Sequence, residues 1–205
     1  MLRHKMTQYH TKLLFKKQYK SYGRWENIKM IINFLILNNF KSFNGKTAIS
    51  FANGLTVITG LNTTGKSNII DAINFALGKY KAKPEHLINK GKKEASVRLV
   101  LMGKNKYILS IHRKINIYGE ESLCMNGRIS DDKNMPYNDF NFTLLDSDSH
   151  NQFNRADLKT FMDKLKEESN KKQIILASTK RDTFDYADQI ICLQTGKNKL
   201  KIIKI

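Results

Sequence analysis

Apolar residues recur along this chain with two periods, and the changes between them mark its elements. A clean apolar segment opens at Met30, and strands are predicted at 34–37, 47–51 and 55–59, the last two meeting across Asn53-Gly54. From Lys66 to about Leu77 the spacing turns helical. Ile69, Ile70, Ile73, Ala76 and Leu77 share one face, and Gly78 stands where a left-handed cap closes a helix. Residues 79–93 carry six lysines and one glutamate with Pro84 and Gly91, and are predicted to form an exposed loop. Strands resume at 95–102 and 107–112 around Gly103-Lys104-Asn105, with a short one at 123–125 before Asn126-Gly127.

The second half begins with a polar stretch, 128–139, containing Pro136 and read as a linker. A buried strand is predicted at 140–145, then a helix at 155–168 with Leu158, Phe161, Met162 and Leu165 on one face. Strand 173–177, a short helix near 183–187, strand 189–193 and a terminal strand 200–203 follow. This alternation predicts an α/β fold with an antiparallel meander in its first half. Residues 1–29 differ: eight basic residues, one acid and no sustained period, hence a basic N-terminal arm, with some helix around Leu13 to Tyr19.

Composition narrows the classes. The 205 residues, 40% apolar and 10% aromatic, suit a globular domain. No apolar run approaches the ~20 residues of a spanning helix, and no signal h-region is present, so no membrane role is expected. Cys124 and Cys192 lack metal-ligand spacing and fit a reducing, intracellular compartment. The net charge of +18 favours polyanions such as nucleic acid. Biased Lys, Asn and Ile usage would give the same number, so charge alone does not decide. Its distribution adds weight: residues 1–29 are net +7, residues 79–93 net +5, and residues 191–205 hold four lysines and no acid.

The sharpest chemistry lies at Gly60-Leu61-Asn62-Thr63-Thr64-Gly65-Lys66-Ser67, which satisfies G-x-x-x-x-G-K-[ST] between a predicted strand and a predicted helix. The glycines open backbone angles closed to other residues, so successive N–H groups can turn inward around phosphates at the positive end of a helix. Lys66 supplies a point charge and Ser67 a hydroxyl for Mg2+. Gly60, Asn62, Thr63, Thr64, Gly65, Lys66, Ser67 and Asn68 are the candidate ATP-binding residues. Asp146, ending the apolar run Phe140 to Leu145, is the second candidate Mg2+ ligand.

These residues resemble a family. Asn39-Phe40-Lys41-Ser42-Phe43, Gly54 to Gly60 and Gly65 to Gly78 look like the N-terminal head lobe of structural maintenance of chromosomes (SMC) ATPases, as do Ile88 to Gly91 and Met125 to Arg128. Leu145-Asp146, the helix through Phe161, Gln173 to Ile175 and Thr183 to Asp188 resemble the C-terminal lobe. The resemblance implies an ABC-type ATPase head: a mixed sheet, an antiparallel meander and a P-loop core. Its N-lobe would span about 31–128, a linker about 129–139 and the C-lobe about 140–205.

It also exposes departures. The family's lobes are separated by a long coiled coil; here only the linker stands between them. The family's Ser-Gly-Gly signature has no counterpart, since no Gly-Gly pair occurs. Ser147 occupies the catalytic Glu position, leaving Asp148 as the candidate substitute, and Thr179 aligns with the switch His. No loop glutamine is evident among residues 79–93. The expectation is an ATP-binding, nucleus- or nucleoid-associated SMC-like head in chromosome maintenance, DNA organisation or repair. DNA and an SMC-type partner head are its expected partners, and hydrolysis is expected to be weak or partner-dependent. The alternative is a degenerate structural or DNA-binding subunit that does not hydrolyse ATP. A P-loop kinase is disfavoured, because no lid Arg cluster supports it. A transporter ATPase would likewise need the signature.

Overall fold

The structure, a computed structural model, describes residues 29–103, 108–126, 128–130, 140–194 and 200–204. The expected basic arm, apart from Lys29, and linker residues 131–139 lie outside the described residues.

Two sheets enclose a helix. The first comprises β1 (Ile31–Asn38), β2 (Lys46–Ser50), β4 (Glu94–Met102), β5 (Ile108–Asn116), β6 (Glu121–Met125) and β7 (Arg128–Ser130), in the antiparallel order β2-β1-β4-β5-β6-β7. The second runs β11-β10-β3-β9-β8, from β11 (Leu200–Lys204), β10 (Gln189–Leu193), β3 (Leu55–Gly60), β9 (Gln173–Ala177) and β8 (Phe142–Leu145). Its four strands β10, β3, β9 and β8 are parallel, and β11 is antiparallel. Helix α1 (Lys66–Ala76) lies between the sheets, and α3 (Arg155–Ser169) covers the far face of the parallel one.

The period-2 rule explains this layering. Ile58, Ile175, Ala177, Ile191 and Leu193 point toward α1 and join the first core. Their neighbours Leu55, Val57, Ile174, Leu176 and Ile190 point the other way, onto Leu158, Met162 and Leu165 of α3. Strands buried on both faces read as continuous apolar runs. In β1 the register slips between Ile32 and Phe34, a bulge that lets Ile32 and Leu35, three residues apart, both face inward.

Two buried glutamines bind the sheets at the base of β3. Gln173 donates to the carbonyls of Ile32 and Ala52 and accepts from the Ile32 amide. Gln189 accepts from the Ala52 amide and the Thr56 hydroxyl and donates to the Ser50 carbonyl.

Four expectations need correction. The loop at 79–93 contains a turn of helix, α2 (Pro84–Leu87), started by a proline at its N-terminus. Leu87 and Ile88 are buried, and Ile88 bridges Phe40, although all six lysines are exposed. The linker expected from 129 begins later, because Arg128–Ser130 pairs with β6 as β7. Strand β8 is half-buried rather than buried, because it forms the sheet's edge. Strand β5 also outlasts its predicted end at 112, since Arg113 takes an inward position between Ile111 and Ile115. Its guanidinium pairs with Glu121 at 3.0 Å and lies 5.8 Å from the Phe75 ring centre, which makes the inward charge tolerable.

Candidate functional site

The loop from Gly60 to Gly65 joins the C-terminal end of β3 to the N-terminus of α1, the crevice where open α/β sheets bind ligands. Two glycines have no substitute there. At Gly60, φ is +149° and a Cβ would lie 2.7 Å from both the Leu193 carbonyl oxygen and the Thr64 hydroxyl. At Gly65, φ is +98° and a Cβ would lie 2.7 Å from the Ser42 hydroxyl. Gly65 is the N-cap of α1, which has no side-chain cap and no acid in its first turn. The helix's leading N–H groups and its positive end therefore have no anionic partner of their own.

Lys66 is 7% exposed and folds back over the loop, donating to the carbonyls of Gly60 at 3.0 Å and Leu61 at 2.9 Å. Burial lowers its pKa from the ordinary lysine value, with Asp146 pulling the other way. The Leu61 carbonyl also accepts from the Thr64 amide and hydroxyl, so the loop is closed on itself. Asn62 and Thr63 are exposed, and Thr63 holds φ at +69°. Asn68 donates to the Ser42 hydroxyl at 2.7 Å, tying α1 to the turn after β1.

Ser67, in the first turn of α1, and Asp146, just past the end of β8, meet although 79 residues apart. The Ser67 hydroxyl donates to an Asp146 carboxylate oxygen at 2.9 Å. The same oxygen accepts from the Ser147 amide at 2.7 Å, so Ser147 helps fix the carboxylate. The single turn of 3₁₀ helix Ser147–Ser149 carries Asp148 into solvent, where it accepts from Asn151 at 3.4 Å. Thr179 is exposed. A hydroxyl beside a carboxylate is an oxygen donor pair suited to a small hard cation, and the ammonium and helix N-terminus suit a polyphosphate, so the residues fit a nucleotide with Mg2+.

Sequence reasoning passed over two groups. Ser42 backs Gly65 and Asn68. His150 is buried at the end of the Asp146 turn and meets Ser178 at the tip of β9, 2.9 Å away. A histidine four positions after the carboxylate was visible, but its partner lies 28 residues on.

The family model for the RecF/RecN/SMC N terminal domain matches residues 31–146, more than half of the chain. The chain belongs to this family. Its architecture is that of an SMC-type head in the ABC P-loop superfamily. It is 36% identical over 118 residues to a chromosome partition protein Smc of Halothermothrix orenii, a match covering 49% of this chain and 10% of that protein. It is 34% identical over 106 residues to a DNA double-strand break repair Rad50 ATPase of Methanococcus maripaludis, covering 49% and 10%. The chain thus spans about a tenth of the length of these curated relatives. A crystallised Smc head domain from Pyrococcus furiosus, bound to the C-terminal domain of ScpA, superposes with a TM-score of 0.73. At 15% identity, over 86% of this chain and 96% of that one, it shares the fold. No helix among the described residues is long and apolar enough to cross a membrane.

Proposed function

We infer that this SMC-family head binds ATP with Mg2+ and serves chromosome maintenance, DNA organisation or repair, with hydrolysis slow or dependent on a partner. The observation that carries the reading is the 2.9 Å contact between Ser67 and Asp146, beside a glycine loop whose lysine is already in place. Lys66 would exchange its loop carbonyls for outer phosphates, and the amides from Gly60 to Ser67 would line the phosphate chain. Bound Mg2+ would neutralise phosphate charge, with Ser67 and Asp146 as the residues holding it.

Ser147 limits the chemistry, because a hydroxyl in the general-base position cannot take a proton from water as a carboxylate does. Losing a general base costs about 10²–10⁴-fold in rate. Asp148 remains the candidate substitute. Without a Ser-Gly-Gly signature, an SMC-type partner head would have to supply the missing groups.

The second reading, a structural or DNA-binding subunit that does not hydrolyse ATP, draws on the same Ser147. It draws also on the six exposed lysines of residues 79–93, held by buried Leu87 and Ile88. Either role places the protein with DNA, in a nucleus or nucleoid. Turnover measured alone and with an added SMC-type partner head separates the readings, because only the first predicts a rise with the partner. Purified chain should release phosphate at or near background. Robust turnover abolished by Lys66→Ala would show that the catalytic apparatus lies elsewhere than Ser147 implies.

A further inference from the structure

His150 is 1% exposed, with Nδ1 3.1 Å from the Ser149 hydroxyl and Nε2 2.9 Å from the Ser178 hydroxyl. Phe161 of α3 stacks on the ring, with centroids 5.8 Å apart. The hydrogens of this network can be counted. Ser149 Oγ donates to the Asp146 backbone carbonyl at 2.6 Å, and a carbonyl only accepts. Ser149's single hydroxyl hydrogen is therefore committed, so Nδ1 must carry the hydrogen between them. Ser178 Oγ accepts from the Lys180 amide at 3.1 Å and keeps its own hydrogen for Nε2. The count closes on a neutral imidazole. The Ser178 amide in turn donates to the Ile58 carbonyl at 2.9 Å, in the strand that feeds the phosphate loop. One ring thereby joins the turn after Asp146, the tip of β9 and, through Ser178, the end of β3.

We propose that His150 is a positioning residue for the metal-binding corner, clamping the turn that carries Asp146 to the tips of β9 and β3 so that its carboxylate stays beside the Ser67 hydroxyl. The proposal rests on the reading of Ser67 and Asp146 as Mg2+ ligands. A histidine that merely fills the core would act on stability alone. One that positions Asp146 acts on the share of nucleotide affinity that depends on metal. Lys66, which would hold the phosphates without metal, bonds to the Gly60 and Leu61 carbonyls, whereas the His150 ring meets Ser149, Ser178 and Phe161.

The test is calorimetric titration of the full chain with ATP, once in Mg2+ and once in EDTA, for wild type, His150→Ala, His150→Gln and Ser178→Ala. Disturbing a group behind a metal ligand weakens metal-dependent binding about 10–100-fold, and the lower end is expected here. In His150→Ala and Ser178→Ala the gain in affinity conferred by Mg2+ should fall about tenfold. Affinity in EDTA should stay within about twofold, since the Lys66 contacts are untouched. His150→Gln, whose amide oxygen can accept from Ser178, should recover part of the gain. Nitrogen NMR of the wild-type ring should show a neutral imidazole protonated at Nδ1, a readout that needs no variant to fold. An unchanged Mg2+ gain in both variants, equal weakening with and without metal, or an Nε2–H tautomer overturns the proposal. Wild type failing to bind ATP in either buffer would remove the nucleotide reading, and this inference with it.

Discussion

Replacing Gln173 with alanine should cost far more than a polar residue in a strand usually does. The side chain is 2% exposed and makes three hydrogen bonds, two to the Ile32 backbone and one to the Ala52 carbonyl, all at 2.8–2.9 Å. Alanine leaves the buried Ile32 amide and carbonyl without these partners. Each buried orphan costs about 1–3 kcal/mol, and the truncation leaves a small void, so a loss of about 3–4 kcal/mol is expected. That is a large share of the ~5–15 kcal/mol that stabilises a typical domain. For a chain of this size it corresponds to a fall in Tm of roughly 6–15 °C. Gln189→Ala should cost a similar amount, and the two losses should not add, because both glutamines hold the Ala52 backbone, one at its carbonyl and one at its amide. The double variant should fall short of additivity by at least about 0.5 kcal/mol. Urea unfolding followed by circular dichroism measures all three. Losses below about 1 kcal/mol, in the range of surface substitutions, would mean that the apolar layer alone holds the sheets together.

Three further outcomes are expected. Gly65→Ala must place a side chain at φ +98° against the Ser42 hydroxyl, and ATP affinity measured by calorimetry should drop about 5–30-fold, given a left-handed penalty of ~1–2 kcal/mol. Burial, then the neighbouring Lys180, hold the His150 imidazole below the ordinary histidine pKa, with Asp146 opposing. Its contribution is thus complete above about pH 6.5 and is lost as pH falls below that, because the unfolded chain takes the proton first. The urea midpoint should therefore decline from about pH 7.5 to 5.5 more steeply in wild type than in His150→Gln, and parallel profiles would contradict this. Random duplex DNA, followed by fluorescence anisotropy, should bind with a log–log salt slope of about −0.9 per phosphate contacted. Changing Lys81, Lys83 and Lys92 to Gln should shallow that slope, and failure to bind even at low salt would assign the charge to composition.

What the sequence made legible follows from where each signal lives. Strands β9 and β10 fall on their predicted spans, because central parallel strands buried on both faces are uninterrupted apolar runs. Helix α1 was equally plain from its 3.6-residue period and the glycines flanking it. Helix α2 was masked by lysines: one turn offers too few positions for periodicity, and only Leu87 and Ile88 of that stretch are core. Arg113 hid the second half of β5, since a charge in an inward position makes sense only beside Glu121 and Phe75. The phosphate loop could be read locally, as its chemistry is contained within eight residues. Asp146 stood out locally as the acid ending an apolar run, but its contact with Ser67, like that of His150 with Ser178, depends on parallel pairing between strands distant in sequence.

One nucleotide site, built from β3, α1 and β8, is tested most directly by calorimetry of ATP with and without Mg2+. Wild type should bind ATP, and Mg2+ should tighten the binding. Lys66→Ala should abolish binding in both buffers. Asp146→Asn should retain metal-free binding and lose the gain from Mg2+. Equal affinity of wild type and Lys66→Ala, or a full Mg2+ response in Asp146→Asn, would contradict the assignment of this loop and this carboxylate to one nucleotide site.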